Sequence, residues 1–284
     1  EEVALIDVAK GLAQGKPLDM EDASSPLKRF YKIKGSEDIK EIKDSDLVIN
    51  TAGLPRKPGM TREELRDKNA GIIKEIAGQV KKLATDAIFI IVTNPLDLMC
   101  RLALDATGFK PNKVIGMGPT LDSARFANLV SKELNVPHAD IEACVIGSHG
   151  EGMLPLPRFT KIKGVALEEF LSKEKIQELT RKTVLRGAEI VNLLGSGSAY
   201  FAPSAAIAEL VRAVAKDEKR ILGVCAYLNK EYGLKDVSIG IPCRIGKEGI
   251  EQIIELELNQ EEKAALSKTA SSLKEQYQGI KNSF

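Results

Sequence analysis

The sequence predicts an α/β fold: a doubly wound, mostly parallel sheet over residues 1–118, followed by an α+β domain over residues 119–284. Two observations lead to this prediction. In the first half, short apolar runs alternate with helical patterns, which is typical of a parallel sheet covered by helices. In the second half, long helical segments accompany a run that alternates apolar and polar residues, as a half-exposed antiparallel strand does. A length of 284 residues suffices for one large or two ordinary domains.

Four short apolar runs in the first half are predicted to be strands, over residues 3–6, 46–50, 87–92 and 114–117. The third run is apolar throughout, as expected for a strand that is covered on both faces. Residues 62–83 place apolar side chains every three or four positions, which predicts a helix, and a second helix is expected over 97–107.

The second half is predicted to contain both long helices and strands. We expect strands over residues 141–146, 239–245 and 250–258, and helices over 120–134, 167–194, 203–216 and 260–280. This mixture predicts an α+β domain that joins the first domain near residues 116–120.

Composition excludes several functional classes. The net charge is +1, so the chain has no strong field to recruit nucleic acid or an anionic membrane. No apolar run approaches the roughly 18 residues that a membrane-spanning helix needs. The four cysteines lack metal-ligand spacing (Cys100, Cys144, Cys225 and Cys243). We expect them to be thiols in a reducing cytoplasm, and we expect no metal site.

Three positions follow predicted strands, at the edge where open parallel sheets bind ligands. Asp7 could accept hydrogen bonds from a dinucleotide ribose and repel a 2′-phosphate, although a turn aspartate is the simpler explanation taken alone. Gly53 could let the backbone pass close to a cofactor, and a tight turn explains it equally well. Asn94 and Pro95 could orient a ligand or simply form a turn.

The segment 54–62 could form a lid. It contains two prolines, a glycine and three cations, Arg56, Lys57 and Arg62, with no acid before Glu63. A mobile loop that brings cations over an anionic substrate has this composition. A solvated basic loop has the same composition, so both interpretations stay open.

The chain has only two histidines, so few side chains could exchange a proton near neutral pH. His149 lies between glycines after a predicted strand, where a ligand could approach the ring. His138 follows Pro137 in a polar turn, and we expect it at the surface. Asp122 and Arg125 are three residues apart and share one helix face, as a functional pair or as an exposed ion pair.

Four segments together resemble the lactate/malate dehydrogenase family in their order along the chain. They are Thr51-Ala52-Gly53-Leu54-Pro55-Arg56-Lys57-Pro58-Gly59-Met60, Thr93-Asn94-Pro95, Leu121-Asp122-Ser123-Ala124-Arg125-Phe126 and Gly147-Ser148-His149-Gly150. The resemblance covers nearly the whole chain from Asp7 onward. It implies a Rossmann-type NAD-binding domain followed by a substrate domain, with the active site in the cleft between them.

The resemblance implies a role for each matching catalytic position. His149 is expected to be the general acid/base, and Asp122 is expected to hold its ring and stabilise the cation. Arg125 is expected to bind the substrate's C1 carboxylate with two hydrogen bonds. Arg62 is expected to polarise the reacting carbonyl, and Asn94 to orient substrate and cofactor.

NAD is the cofactor that the resemblance implies. The positions expected to contact it are Asp7, Thr51, Ala52, Gly53, Asn69, Thr93 and Asn94. No G-x-G-x-x-G loop precedes Asp7 in this sequence. By resemblance, we expect that about 20–25 further residues belong before Glu1 in the gene product, and that the chain without them binds NAD poorly.

Arg56 predicts the substrate. In the family, lactate enzymes usually carry a neutral residue at this lid position, whereas malate enzymes carry arginine. An arginine closed into a site without a carboxylate partner would be a buried unpaired charge, which costs several kcal/mol. We therefore expect reversible, NAD-linked oxidation of malate to oxaloacetate. The alternatives are lactate as substrate and a non-catalytic NAD-binding relative, which would not need all four catalytic groups.

Two segments depart from the family pattern. Glu151-Gly152 stands where aspartate and a small polar residue are usual, and residues 117–120 replace a run of small residues. Pro119 is expected to begin the following helix. Neither departure removes a reactive group. Family members pair as dimers or tetramers, so we also expect a homodimer or a homotetramer.

Overall fold

The computed structural model describes residues 2–55, 60–195 and 197–282. The elements of the first part are, in chain order, β1 (Val3–Ile6), α1 (Leu12–Asp22), α2 (Ser24–Leu27), β2 (Ile33–Ser36), β3 (Leu47–Asn50), α3 (Arg62–Leu83), β4 (Ile88–Ile91), α4 (Leu96–Thr107) and β5 (Val114–Gly116). Strands and helices alternate, as the sequence predicts.

The second part begins with a helix that follows β5 directly. Its elements are α5 (Gly118–Leu134), β6 (Ile141–Glu142), β7 (Val145–Gly147), β8 (Met153–Pro155), β9 (Lys161–Ile162), β10 (Val165–Ala166), α6 (Lys173–Leu194), α7 (Phe201–Ala215), β11 (Arg220–Asn229), β12 (Lys235–Gly246), β13 (Gly249–Ile253) and α8 (Gln260–Asn282). Within the described residues, no helix combines the length and the apolar composition that a membrane crossing needs.

One large sheet connects the two parts. Strands β3, β4 and β5 are parallel neighbours, and the sheet continues through β11, β12, β7 and β8, which pair antiparallel. Strand β13 pairs with β12. Strands β1 and β2 form a separate parallel pair, and β6, β9 and β10 form a small antiparallel sheet. The predicted fold class, a parallel α/β sheet followed by a mixed α+β part, is confirmed.

Most predicted elements lie within a few residues of their expected ends, but three differ. The strand expected over 141–146 is interrupted because the Cys144 N–H donates to the Thr160 hydroxyl instead of to a neighbouring strand. The strand expected over 250–258 ends at Ile253, beyond which the Leu256 N–H donates to the Tyr232 hydroxyl. The helix expected from 167 begins at Lys173, where the Ser172 side chain caps it.

Strands β2, β8, β9, β10 and β11 were not predicted. Strand β11 is largely apolar and is mostly buried on both faces from Leu222 to Leu228, and periodicity alone does not distinguish such a run from a buried helix. It is nevertheless the element that attaches the second part to β5.

The register of β11 and β12 brings together the chain segments that follow β5 and β7. Gly116 pairs with Cys225, Cys225 with Gly240, and Gly240 with Gly147, so these four residues form one row across β5, β11, β12 and β7. Strands β5 and β7 both end on this row. The chain segments that follow them, α5 and the loop with His149, therefore begin side by side.

The core around β4 and α4 is almost wholly apolar. Strand β4 is buried at every residue, and α4 is buried around most of its circumference. Helix α3 begins with a capping box in which Thr61 and Glu64 satisfy each other's backbone N–H groups. Helix α5 has Pro119 in its first turn, as expected from the sequence.

Candidate active site

The loop after β7 has a conformation that requires glycine. Gly147 has a φ of 88°, and a Cβ there would lie 2.4 Å from the Gly152 carbonyl oxygen. Gly150 has a φ of 135°. These positions let the chain turn sharply around His149, and the Ser148 N–H closes the turn by donating to the Gly152 carbonyl. On the other side Gly118 packs against the His149 ring.

His149 and Asp122 form the centre of the site. The ring Nδ1 lies 2.8 Å from Asp122 Oδ2, and the Asp122 side chain is only 2% exposed. Burial opposes protonation of the ring, but the charge of Asp122 and this hydrogen bond outweigh it. The pKa of His149 is therefore raised above its usual value of 6.5. Because Nδ1 is bound, Nε2 is the nitrogen left to exchange a proton with a ligand.

Arg125 lies beside the same carboxylate. Its Nη1 is 3.4 Å from Asp122 Oδ1, one turn along α5, as their spacing predicts. The guanidinium also lies near Gly187 of α6, where a Cβ would be 3.5 Å from Nη1. Burial lowers the pKa of Arg125, which the charge of Asp122 partly opposes, yet a guanidinium remains a cation at neutral pH. The sequence-predicted trio of His149, Asp122 and Arg125 is thus brought together.

The loop after β3 is fixed by side chains of the neighbouring strand end. Thr93 donates its hydroxyl to the Ala52 carbonyl at 2.7 Å and accepts from the Asn50 amide at 2.8 Å. A Cβ on Gly53 would lie 2.5 Å from Thr93 Cγ2, so the backbone packs directly on this threonine. Thr51 and Ala52 are exposed at the end of β3.

Asn69 joins the start of the lid segment to the loop after β4. Its Oδ1 accepts from the Leu54 N–H at 2.7 Å, and its Nδ2 donates to the Asn94 carbonyl at 2.7 Å. The residue is 1% exposed. These contacts make Asn69 a clamp between two loops, and its direct contact with a cofactor stays a prediction. The Asn94 side chain itself is exposed at the edge of the sheet.

Asp7 follows β1, where the sequence places it. Its Oδ1 accepts from the Ala9 N–H at 2.9 Å, and the residue is half-buried. The aspartate therefore forms a turn while its side chain remains reachable from solvent, so the two interpretations of Asp7 are compatible. Arg56 lies outside the described residues, as does the side chain of Arg62, although α3 begins at that residue.

Asp97 is the residue that sequence reasoning missed. It lies in the first turn of α4, is 4% exposed, and accepts from the His149 backbone N–H at 2.8 Å through Oδ2. An acid in the apolar first turn of this helix, three residues after the strand-end Asn94, is the signal that could have revealed it.

The strand ends fit a dinucleotide along part of its length. Asp7 lies at the end of β1 in the separate two-stranded sheet, whereas the exposed residues Thr51–Gly53 and Asn94 follow the neighbouring strands β3 and β4 of the large sheet. The carboxyl ends of parallel strands are where dinucleotides bind. Because a Cβ on Gly53 would clash with Thr93, glycine is needed for the loop after β3 to pack against the end of β4.

Comparisons with known proteins agree with this geometry. The family model for the lactate/malate dehydrogenase NAD-binding domain matches residues 1–116, and the model for the α/β C-terminal domain of the same family matches residues 119–283. A malate dehydrogenase from Methanosarcina mazei is 45% identical over 273 residues, which are 96% of this chain and 89% of that protein.

Solved structures show the same fold at lower identity. The malate dehydrogenase of Cryptosporidium parvum is 38% identical with a TM-score of 0.95, covering 99% of this chain and 91% of that one. The lactate dehydrogenase of the same organism, solved with lactic acid and nicotinamide adenine dinucleotide, is 36% identical with a TM-score of 0.95 and covers 99% and 90%. The chain belongs to the lactate/malate dehydrogenase family.

Proposed function

We propose that this chain is an NAD-dependent malate dehydrogenase, which catalyses the reversible oxidation of malate to oxaloacetate. The observation that carries the proposal is the His149 imidazole bound to the buried Asp122, with the Arg125 guanidinium beside the same carboxylate. A proton-exchanging ring and a carboxylate-binding cation are the groups that a 2-hydroxy acid oxidation needs. The malate dehydrogenases among its relatives support the same choice. We also propose that residues 1–118 bind NAD and residues 119–284 carry the substrate site.

The residues of this chain move the proton. In the oxidation, neutral His149 takes the hydroxyl proton of malate at Nε2, while the hydride leaves C2. When bound, NAD supplies the acceptor for that hydride. Asp122 accepts the Nδ1–H hydrogen bond and stabilises the imidazolium that forms. In the reduction, protonated His149 returns the proton to the ketone oxygen, and the raised pKa of His149 increases the fraction of the ring that carries this proton at a given pH.

Arg125 supplies the anchor for the substrate. Its Nη1 contacts Asp122 at 3.4 Å, a weak bond that leaves guanidinium N–H groups for a ligand carboxylate. Anchoring C1 beside His149 would hold the reacting carbon next to Nε2. By resemblance, Arg62 at the start of α3 polarises the carbonyl oxygen during the reduction.

Arg56 is proposed to select malate over lactate. Oxaloacetate carries a second carboxylate that can pair with this lid arginine, whereas pyruvate presents only a methyl group. Closing the lid over pyruvate would leave the arginine without a partner, at a cost of several kcal/mol.

The test measures NADH oxidation at matched concentrations of oxaloacetate and pyruvate, with the protein expressed from its complete gene. We expect a strong preference for oxaloacetate. Arg56→Gln should lower that preference by about 10²-fold, equivalent to about 3 kcal/mol. Lys57→Gln removes a neighbouring cation from the same loop and is the matched control.

Each other result has a defined meaning. Preference for pyruvate would make the chain a lactate dehydrogenase and overturn the assignment of Arg56. No turnover of either acid would favour a non-catalytic NAD-binding relative. An unchanged preference in Arg56→Gln would show that another residue selects the substrate.

We further propose a homodimer or homotetramer in the cytoplasm, acting in the tricarboxylic acid cycle. Large apolar side chains are exposed on three helices, including Leu18 on α1, Leu185 and Leu193 on α6, and Phe201, which is 80% exposed, on α7. Exposed apolar surface of this extent is typical of contacts between protein chains. The four free cysteines suit a reducing compartment. A monomer mass from light scattering would refute the proposed assembly.

A further inference from the structure

The buried Asp97 contacts the backbone of His149, and its charge acts on the His149 ring. One oxygen, Oδ2, accepts the His149 backbone N–H at 2.8 Å. The Cys225 thiol interacts with the Asp97 carboxylate, and the other oxygen, Oδ1, is buried without a nitrogen or oxygen hydrogen-bond partner among the described residues. A thiol is a weak donor, so a buried carboxylate oxygen with no stronger partner is costly and its surroundings call for an explanation.

A small cavity between α4, β12 and α8 adjoins Asp97. Two other lining residues, Arg101 and Ser238, also have a buried polar atom, Nη1 and Oγ, without a partner in the described part of the chain. The space open to the centre of a water molecule is about 10 Å³, close to what one buried water requires. The residues that line this space therefore include a carboxylate, a hydroxyl and a guanidinium, each with a buried polar atom that lacks a nitrogen or oxygen partner among the described residues.

Arg101 is held firmly at this cavity. Its Nε donates to Asp105 at 3.0 Å, and its guanidinium lies 4.6 Å from the Tyr227 ring centroid and 5.4 Å from that of Tyr277. The Tyr277 hydroxyl donates to the same Asp105 at 2.8 Å. A fixed cation therefore lines the cavity that Asp97 also lines.

We propose that Asp97 is a positioning residue for His149. Its carboxylate fixes the His149 backbone, and its negative charge stabilises the imidazolium that forms in the reaction. One ordered water molecule, shared with Ser238 and Arg101, keeps the Asp97 carboxylate ionised. The inference rests on the proposed function for its catalytic meaning. The water site and the effect of the Asp97 charge on the His149 titration do not depend on which reaction the protein catalyses.

The charges around both groups set the direction of the effect. His149 faces Asp122, Asp97 and Arg125, of which the two carboxylates raise the pKa of His149 and the arginine lowers it. The groups that face Asp97 directly or across the cavity are His149, Asp122, Cys225, Arg101, Asp236, Lys274 and Tyr277. Burial raises the pKa of Asp97 to about 6, and its hydrogen bond to His149 opposes that rise. Asp97 is thus mostly ionised above pH 7.

The first test replaces Asp97 with asparagine and follows the titration of His149. Asparagine keeps an oxygen for the His149 N–H, so the backbone stays in place while the charge is lost. We expect the His149 midpoint in the ligand-free protein, read by NMR of labelled histidine rings, to move to lower pH. The other histidine, His138, is exposed, and its ring signals serve as an internal control for the fold. Asp86→Asn removes an exposed carboxylate and is the matched variant.

The kinetic readout follows from the same shift. For oxaloacetate reduction above neutral pH, kcat/KM should fall about 3- to 10-fold in Asp97→Asn, because less His149 is protonated, while NADH affinity is unchanged. A purely structural role would be rescued by asparagine and would leave the His149 midpoint unmoved. That result in a folded variant would overturn the proposal.

A second variant tests the proposed water site, and it keeps the proposal testable if Asp97→Asn does not fold. Ser238→Val places methyl groups in the cavity without removing a charge. Displacing the water should destabilise the Asp97 anion and move the His149 midpoint in the same direction, by less. An unchanged midpoint, or an experimental structure without an ordered water within hydrogen-bond distance of Asp97 Oδ1, would refute the water link. A shifted midpoint in a protein that turns over neither 2-keto acid would refute only the proposed function.

Discussion

Two groups of residues are proposed to form the site: a catalytic side around His149, and a cofactor side made of Asp7 and the loop after β3. They are built in different ways. On the catalytic side, His149 lies between two carboxylates, Asp97 and Asp122, that are almost fully buried. On the cofactor side, Asp7 is half-buried, and Thr51 and Ala52 are exposed. Their loop is held by neutral hydrogen bonds from Thr93 and Asn69 rather than by buried charge.

This difference suggests two tasks: the buried charges control proton transfer, and the neutral hydrogen bonds fix the position of a loop. Buried charges act strongly on a neighbouring proton because little water screens them. Neutral bonds to backbone carbonyls and N–H groups mainly decide where a loop lies. Substitutions on the catalytic side should therefore alter rate and pH dependence, whereas those on the cofactor side should alter stability and cofactor choice.

The largest effect is expected from His149→Asn. Loss of the proton donor should lower kcat by about 10²- to 10⁴-fold, the usual contribution of general acid–base catalysis. The cofactor side should be unaffected, so the dissociation constant for NADH, measured by calorimetry, should change little.

His138→Asn is the matched control, because it removes the chain's other histidine from an exposed turn. It should retain full activity. If His149→Asn kept more than a tenth of kcat, the catalytic side would need another proton donor, and the comparison between the two sides would fail.

Sequence reasoning reached the proposed catalytic trio through the family resemblance, because each of the three residues lies in a short motif that carries that resemblance. His149 lies between glycines, and Asp122 and Arg125 share a helix face. It missed Asp97, whose role depends on a contact 52 positions along the chain, from α4 to the loop after β7. Strand β11 was missed for a related reason. Its pairing with β5 and β12 is a long-range property, and an apolar run does not show which neighbours it will have.

A smaller effect is expected from Asn69→Ala, which tests placement. Truncation leaves the Leu54 N–H and the Asn94 carbonyl without their buried partner. The free energy of unfolding should fall by about 1–3 kcal/mol, as measured by urea denaturation. KM for oxaloacetate should rise, because the start of the lid and the Asn94 loop are no longer joined.

Asn192→Ala on the exposed face of α6 is the control, and it should change stability by only a few tenths of a kcal/mol. Equal stability of Asn69→Ala and the wild type would mean that the lid segment and the Asn94 loop hold their places independently of this clamp.

The smallest effect is expected at Asp7. Asp7→Asn keeps an oxygen for the Ala9 N–H, so the turn after β1 persists while the charge is lost. Without that charge a 2′-phosphate is no longer repelled, and kcat/KM for NADPH relative to NADH should rise about tenfold, or about 1.4 kcal/mol. Asp19→Asn, an exposed acid on α1, should not change the ratio. An unchanged ratio in Asp7→Asn would mean that Asp7 only forms a turn. The choice of cofactor would then depend on neutral contacts, which are also the contacts that hold the loop after β3.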